Sequence, residues 1–192
     1  MVLEDDYADR LIRLQTPLWK RLLDVQAPYR WNLRRLRPGR MLDIGCGIGR
    51  NLAHVPGSVG VDPNEACVAA ARRRGFEAYT PAEFKAEPGS FDSLLIAHVL
   101  EHLTPDEADA LVAQYLGYLK PGGQLILITP QERTFALDAT HIWFVDFAVL
   151  EGLVKRWGLE LERKYSFPLP RWAGKLVPHV EFVVTARKPP GR

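Results

Sequence analysis

Cysteine is scarce in this sequence. Only Cys46 and Cys67 occur among 192 residues, so a framework of disulfides cannot hold the fold together. No spacing typical of metal ligands appears, and we predict no metal site. No apolar run reaches the roughly 20 residues that a membrane-spanning helix needs. Residues 1–13 are acidic and mixed, unlike a signal peptide. These absences predict a soluble, cytoplasmic protein with no membrane partner.

Strong net charge is also lacking, since the formal value is only +2. The hydrophobic fraction of 47% and the charged fraction of 25% indicate an ordinary globular chain, neither disordered nor fibrous. Arginines do cluster before the first predicted strand, at Arg30, Arg34, Arg35, Arg37 and Arg40. A nucleic-acid interface would normally be larger and carry interleaved aromatic residues. We interpret the cluster as a solvated helix face and expect no nucleic-acid partner.

The most informative stretch covers residues 40–50. Met41, Leu42 and Ile44 indicate a short buried strand, glycines at alternate positions follow, and residues 51–53 can open a helix. Glycine is needed where the backbone turns sharply or lies against a ligand. A strand, a glycine turn and a helix form the first half of a nucleotide-binding βαβ unit.

The details of this turn argue against a dinucleotide. Its third glycine, Gly49, comes one residue earlier than in the pattern G-x-G-x-x-G. Asp43 lies directly before the turn, where a carboxylate would repel a pyrophosphate. The same carboxylate would attract a ligand that carries an ammonium and a sulfonium. That combination of charges points to S-adenosylmethionine.

A second acid strengthens this interpretation. Asp62 ends a predicted strand 17 residues after Gly45, where an acid can accept both hydroxyls of a ribose. Here the chain resembles the class I S-adenosylmethionine-dependent methyltransferases, in particular the type 11-like family. The resemblance covers roughly the middle half of the chain, in residues 42–49, 60–62, 91–103 and 119–130. The four segments occur in the order typical of the family.

The resemblance implies an α/β fold. We expect a Rossmann-like, doubly wound sheet of seven strands in the order 3-2-1-4-5-7-6, with the last strand antiparallel. The whole chain, 1–192, would be a single domain, either a monomer or a homodimer. Residues 1–36 would form a helical cap, 37–187 the core and 188–192 a tail. Aromatic residues of the cap would either line a pocket or pack on the sheet: Tyr7, Trp19, Tyr29 and Trp31.

The resemblance also implies which residues bind the cofactor. Glycines of the turn would admit the cofactor, Asp43 would favour its ammonium and Asp62 would hold its ribose. Many family members bind adenine with an aspartate that this chain lacks, so Glu83 or a backbone carbonyl would substitute. The predicted cofactor site comprises Asp43, Gly45, Cys46, Gly47, Gly49, Asp62, Pro63, Glu83, Ala97 and His98.

Catalysis would depend mainly on alignment, because the leaving group of a sulfonium is already activated. A base matters only where the acceptor carries a proton, as an alcohol, phenol or amine does. His141 is our first candidate, since histidine titrates near neutrality and the family often has one there. His98 is second and Glu132 third. His141 could instead anchor its loop, and Arg171 could pair an acidic group of the substrate or serve a rigid connection.

The predicted reaction is methylation of an oxygen or nitrogen on a small molecule. Two alternatives stay open, namely methylation of an RNA or protein, and a non-catalytic subunit that binds the cofactor and acts through a partner. A nicotinamide-dependent oxidoreductase is disfavoured by Gly49 and Asp43.

Overall fold

The computed structural model describes residues 26–190. The chain divides into two compact units, Met1–Lys85 and Ala86–Arg192. Most of the predicted helical cap, with Tyr7 and Trp19, lies outside the described residues. Its described part is helix α1, Ala27–Arg35, in which Trp31 is 56% exposed. Whether the chain is a single domain stays a prediction.

In addition to α1, the described residues of the first unit form three parallel strands and one crossover helix. The strands are β1 (Met41–Ile44), β2 (Val59–Val61) and β3 (Glu77–Tyr79), and helix α2 is Glu65–Arg73. β2 pairs in parallel with both β1 and β3. Helix α2 begins as its sequence predicts, because the side chain of Asn64 accepts a 3.0 Å hydrogen bond from the amide of Cys67.

The connection from β1 to β2 is short. It contains a single 3-10 turn, Leu52–His54, where the sequence indicated the start of a helix. Gly57 follows with φ of 77°, a conformation that favours glycine and ends the turn. The short connection places the residues after β1 close to the end of β2.

Up to residue 190, the second unit contains four strands and three α-helices. The strands are β4 (Phe91–Ala97), β5 (Leu119–Pro130), β6 (Glu160–Phe167) and β7 (Glu181–Arg187). The helices are α3 (Pro105–Tyr115), α4 (Glu132–Phe135) and α5 (Phe147–Arg156). β4 and β5 are parallel, and β7 runs antiparallel to both β5 and β6. Thr104 and Glu107 form a capping box at the start of α3, as their S/T-x-x-E spacing predicts.

The sheet has seven strands in the order β3-β2-β1-β4-β5-β7-β6, which confirms the predicted fold. β4 has a nearly continuous buried stretch over residues 93–96, as expected of a central parallel strand. The sequence Lys-Pro-Gly-Gly at residues 120–123 predicts a tight turn, with the fifth strand beginning at Gln124. That prediction is wrong, because the strand already begins at Leu119 and residues 120–123 are part of it. None of the helices found within residues 26–190 has the length and apolarity needed to cross a membrane.

Candidate functional site

The glycine turn after β1 has the backbone conformation that the sequence predicts. Gly45, Gly47 and Gly49 have φ of 77°, 52° and 80°, in the left-handed region where a side chain is strained. The amides of Gly45 and Cys46 donate to the carbonyl of Val61, at 2.8 and 3.1 Å. The turn is therefore fastened to the end of β2.

Asp62 directly follows β2, and its carboxylate also holds the glycine turn. Its Oδ2 accepts a 2.7 Å hydrogen bond from the amide of Gly47, and its Oδ1 accepts a 2.9 Å bond from the amide of Asn64. Burial raises the pKa of Asp62, against the lowering effect of these two amides. Each carboxylate oxygen has a second lone pair, so the group can still accept hydroxyls of a ribose.

Asp43 presents a buried carboxylate that the protein leaves incompletely paired. Its side chain has no exposure, and Oδ1 accepts a 3.4 Å hydrogen bond from Asn51 Nδ2. Oδ2 has no hydrogen-bond partner within the described part of the chain. Burial raises the pKa of Asp43 to about 7. A cationic group such as an ammonium would satisfy Oδ2, so this residue fits the cofactor that the sequence predicts.

Cys46 has a packing role in the turn. It is buried, its Sγ donates to the carbonyl of Gly47, and burial raises the pKa of the thiol well above its ordinary value. A Cβ on Gly60 would lie 2.5 Å from the Cys46 sulfur. The thiol is thus a neutral part of the core beside β2. Pro63 is exposed directly after Asp62.

Glu83 already has partners on the protein. Its Oε2 accepts from the amide of Thr80 at 2.9 Å and from Arg72 Nη2 at 2.8 Å. The amide of Thr80, followed by Arg72, lowers the pKa of the Glu83 carboxyl. The ion pair favours a role in holding the loop after β3. An adenine contact by Glu83 stays a prediction.

His98 lies between two carboxylates in the second unit, immediately after the half-buried Ala97 that ends β4. Its Nδ1 lies 3.2 Å from Glu101 Oε1 and its Nε2 lies 2.8 Å from Glu181 Oε1. Burial opposes protonation, but the two carboxylates outweigh it and raise the pKa of His98 to about 9. An imidazole that is protonated at neutral pH, with both N–H groups engaged, is a poor general base. The geometry disfavours our prediction of His98 as a base.

Glu181 is a site residue that the sequence did not indicate. It is the first residue of β7 and pairs with Pro130 at the end of β5. Buried Gln131 holds this junction, since its Nε2 donates to the carbonyl of Glu181 at 2.9 Å and to Ser166 Oγ at 2.7 Å. Only the register of the antiparallel strands brings Glu181 to His98. No local pattern in the sequence signals that contact.

His141 has one ring nitrogen engaged with the backbone. Nδ1 lies 2.9 Å from the carbonyl of Phe135, and the ring stacks on that of Phe135 with centroids 5.2 Å apart. The ring of His102 meets it edge-on, with centroids 4.8 Å apart. A carbonyl only accepts, so Nδ1 carries the hydrogen, and in the neutral ring Nε2 then carries the lone pair. His141 therefore suits proton acceptance better than His98 does.

Arg171 and Glu132 pair with each other. The guanidinium makes two hydrogen bonds to the carboxylate, at 2.8 and 2.5 Å, and lies 4.8 Å over the ring of Phe182. Burial would raise the pKa of Glu132, but Arg171 keeps it below its ordinary value. Glu132 is thus a weak base, and Arg171 already has an acidic partner. Both observations favour a structural role for this pair.

Comparison with known proteins identifies the family of the chain. A family model described as a methyltransferase domain matches residues 12–164. Curated proteins give no match. Solved structures include a methyltransferase from Thermotoga maritima, described as S-adenosylmethionine-dependent and a possible histamine N-methyltransferase. It is 20% identical, with 96% of this chain and 97% of that chain covered and a TM-score of 0.74.

Two further structures share the fold. The 1,6-didemethyltoxoflavin-N1-methyltransferase of Burkholderia thailandensis, solved with S-adenosylhomocysteine, is 20% identical. Coverage is 98% of this chain and 88% of that chain, and the TM-score is 0.65. The [4+2]-cyclase SpnF is 19% identical, with 85% of this chain and 80% of that chain covered and a TM-score of 0.65. The fold is therefore compatible with more than one chemistry, and the match of the family model over residues 12–164 decides the assignment. The chain belongs to the methyltransferase-domain family, and it is an enzyme whose cofactor is S-adenosylmethionine.

Proposed function

We propose that this enzyme transfers a methyl group to an oxygen or nitrogen of a small-molecule acceptor. The observation that carries the cofactor half of the proposal is the buried, incompletely paired carboxylate of Asp43 before the glycine turn. Asp43 would bind the ammonium of S-adenosylmethionine, and the glycines at 45, 47 and 49 would let its main chain approach closely. Asp62 would hold the ribose with the lone pairs that Gly47 and Asn64 leave unused.

The chain's own residues would contribute mostly alignment. When bound, the cofactor supplies a methyl group on a sulfonium, which is an activated leaving group. Correct orientation can supply roughly 7–11 kcal/mol in well-aligned cases. Asp62 would contribute to orientation, because the carboxylate that holds the turn would also hold the ribose. An acceptor that reacts as a free amine needs no base before the transfer.

An acceptor that carries a proton requires a base, and we propose His141 for that role. Its Nε2 lone pair is set by the hydrogen bond from Nδ1 to the carbonyl of Phe135. Proton acceptance by a placed histidine contributes about 10²–10⁴-fold to such reactions. His98 would instead keep its proton and hold Glu101 and Glu181 in position.

Two observations support a small acceptor over a macromolecule. Two proteins with similar structures are described by small-molecule acceptors: one is a possible histamine N-methyltransferase, and the other is a 1,6-didemethyltoxoflavin N1-methyltransferase. Arginines of the N-terminal cluster also make local contacts. Arg34 Nε donates to the carbonyl of His54 at 3.3 Å, and Arg35 lies 4.8 Å over the ring of Trp31.

Calorimetry tests the cofactor half. We expect micromolar binding of S-adenosylmethionine and S-adenosylhomocysteine and no binding of NAD. An Asp62→Ala variant should lose the affinity, while Glu87→Ala, which changes an exposed acid, should keep it. Binding of NAD, or equal affinity in both variants, would contradict the proposal.

Product formation tests the proposal that the acceptor is a small molecule. The purified enzyme is incubated with S-adenosylmethionine and a panel of small amines and phenols that includes histamine, and S-adenosylhomocysteine formation is measured. We expect turnover with at least one member of the panel, at a rate that does not depend on the salt concentration. Turnover only with RNA or protein, with a steep dependence on salt, would favour a macromolecular acceptor because counterion release scales with phosphate contacts.

A further inference from the structure

We propose that Glu101, His102 and His141 form a binding site for a divalent transition-metal ion. The three side chains each offer one ligand atom, and these atoms lie within 4.8 Å of one another. Two imidazoles and one carboxylate are ligands typical of Zn²⁺ and of Fe²⁺. The site goes beyond the methyl transfer proposed above and does not depend on the identity of the acceptor.

Glu101 supplies a buried carboxyl group in which one oxygen is unpaired among the described residues. The residue has no exposure, and its Oε1 lies 3.2 Å from His98 Nδ1. Among residues 26–190, no group hydrogen-bonds to Oε2. A buried polar atom without a partner is costly, and a cation would remove that cost.

Both histidines are held in the tautomer that binds a metal through Nε2. His102 Nδ1 lies 3.2 Å from the carbonyl of Thr140, and His141 Nδ1 lies 2.9 Å from the carbonyl of Phe135. Carbonyl oxygens only accept, so each Nδ1 must donate and each Nε2 keeps its lone pair. A hydrogen bond from the second ring nitrogen to a carbonyl is the usual support of a metal-binding histidine.

Backbone contacts bring the three residues together. The amides of Ile142 and Trp143 donate to the carbonyl of Glu101, at 2.9 and 3.2 Å, which fixes the loop that carries His141. The hydroxyl of Thr140 donates to Asp138 Oδ1 at 2.7 Å and lies 3.1 Å from His102 Nδ1. The site is therefore held by the backbone on one side and by a side-chain network on the other.

The three side chains need to move only slightly to coordinate one ion. Ligands about 2.0–2.2 Å from a tetrahedral zinc lie roughly 3.4 Å apart, so the side chains must approach by about 1 Å or slightly more. Three protein ligands leave at least one coordination position for water or another molecule.

A metal site at these residues differs from our expectation, from the sequence, of no metal. The ligands come from two segments 39 residues apart, so no local spacing reveals them. His141 cannot be both a metal ligand and a free base in one molecule, because both roles use the same lone pair. Measurements of metal binding and of the pH dependence of methylation therefore distinguish a metal ligand from a free base at His141.

Zinc and cobalt titrations test the site directly. The full chain is freed of metal with a chelator and titrated with Zn²⁺, and with Co²⁺ followed by visible absorption. We expect one equivalent of each ion to bind the wild type. Affinity should fall at least about a hundredfold in His102→Ala and His141→Ala, and His54→Gln, which removes a histidine outside the cluster, should bind as the wild type does.

X-ray absorption of the zinc-loaded wild type gives a second readout that does not depend on whether variants fold. Two imidazoles in the first coordination sphere would support the site. Stoichiometric binding that survives in both His→Ala variants, an absorption spectrum with fewer than two imidazoles, or no binding at one equivalent would overturn it. S-adenosylhomocysteine affinity, measured in the same samples, reports on the proposed cofactor site independently.

Discussion

The backbone amide of Gly47 donates a 2.7 Å hydrogen bond to the carboxylate of Asp62, which lies 15 residues further along the chain. One residue therefore does two things. It holds the glycine turn against the end of β2, and it lies where a ribose is expected. Loss of the Asp62 carboxylate should consequently disturb both the fold and the cofactor affinity.

Replacing Asp62 by asparagine tests this double role. The amide keeps one oxygen but turns a donor toward either Gly47 or Asn64, which are both donors. We expect roughly 1–3 kcal/mol less free energy of unfolding, since a buried donor loses its partner. S-adenosylhomocysteine affinity should fall at least about tenfold. Urea unfolding and calorimetry measure the two effects, and an unchanged affinity beside a lower stability would leave Asp62 with a structural role alone.

Asp43 should make the free energy of unfolding depend on pH. The ordinary pKa of an aspartate is 3.8 and that of Asp43 in the fold is about 7, so the folded protein favours the protonated form. Between these values the folded state holds more protons than the unfolded state, and stability falls as the pH rises from about 4 to about 7. The loss would be about 4 kcal/mol at most, from 1.36 kcal/mol per pKa unit. Urea unfolding at several pH values measures it, with Asp43→Asn as the control that should flatten the curve over this range.

Cofactor binding should cause Asp43 to release a proton. An ammonium favours the carboxylate over the neutral acid, so affinity should rise as the pH passes from about 6 to about 8. Calorimetry in buffers with different ionisation enthalpies should detect proton release near about pH 6.5, and Asp43→Asn should abolish it. Equal proton release in the variant would show that another group titrates.

Local features of the fold were predictable because neighbouring residues determine them. Asn64 caps α2 and Thr104 caps α3, since each side chain reaches an amide three residues ahead. The glycine turn was predictable for the same reason, as its left-handed conformations are needed within five residues. The resemblance to methyltransferases then supplied the order of the strands.

Contacts between distant segments were not predictable from local patterns. His98 looked like a base, yet Glu181, 83 residues away, lies against its Nε2. His102 likewise contacts Thr140 and His141, 38 and 39 residues further along the chain. Such contacts depend on strand register and loop packing, which a single sequence does not reveal.

Gly49 should tolerate alanine poorly. A Cβ there would lie 2.5 Å from Phe76 Cδ2, and the φ of 80° is itself unfavourable for alanine. We expect Gly49→Ala to lower the free energy of unfolding by roughly 2–4 kcal/mol, as overpacking and backbone strain combine. Gly57→Ala is the matched control, because Gly57 has φ of 77° and no atom within 4 Å of the position that a Cβ would take. Urea unfolding should give a clearly smaller loss for the control, and equal losses would mean that the Phe76 ring moves aside freely.

Two glycines of the second unit should respond to alanine in opposite directions. Gly174 is buried against the side chain of Gln131, which a Cβ would overlap. Gln131 could not keep its bonds to Ser166 and the carbonyl of Glu181, so we expect Gly174→Ala to cost roughly 1–3 kcal/mol. Gly152 is an exposed residue of helix α5, and a Cβ added there would have no atom within 4 Å. At this position alanine should add about 0.5–1 kcal/mol, because it has the higher helix propensity. Urea midpoints that move in the same direction for both variants would contradict this account of the Gln131 junction.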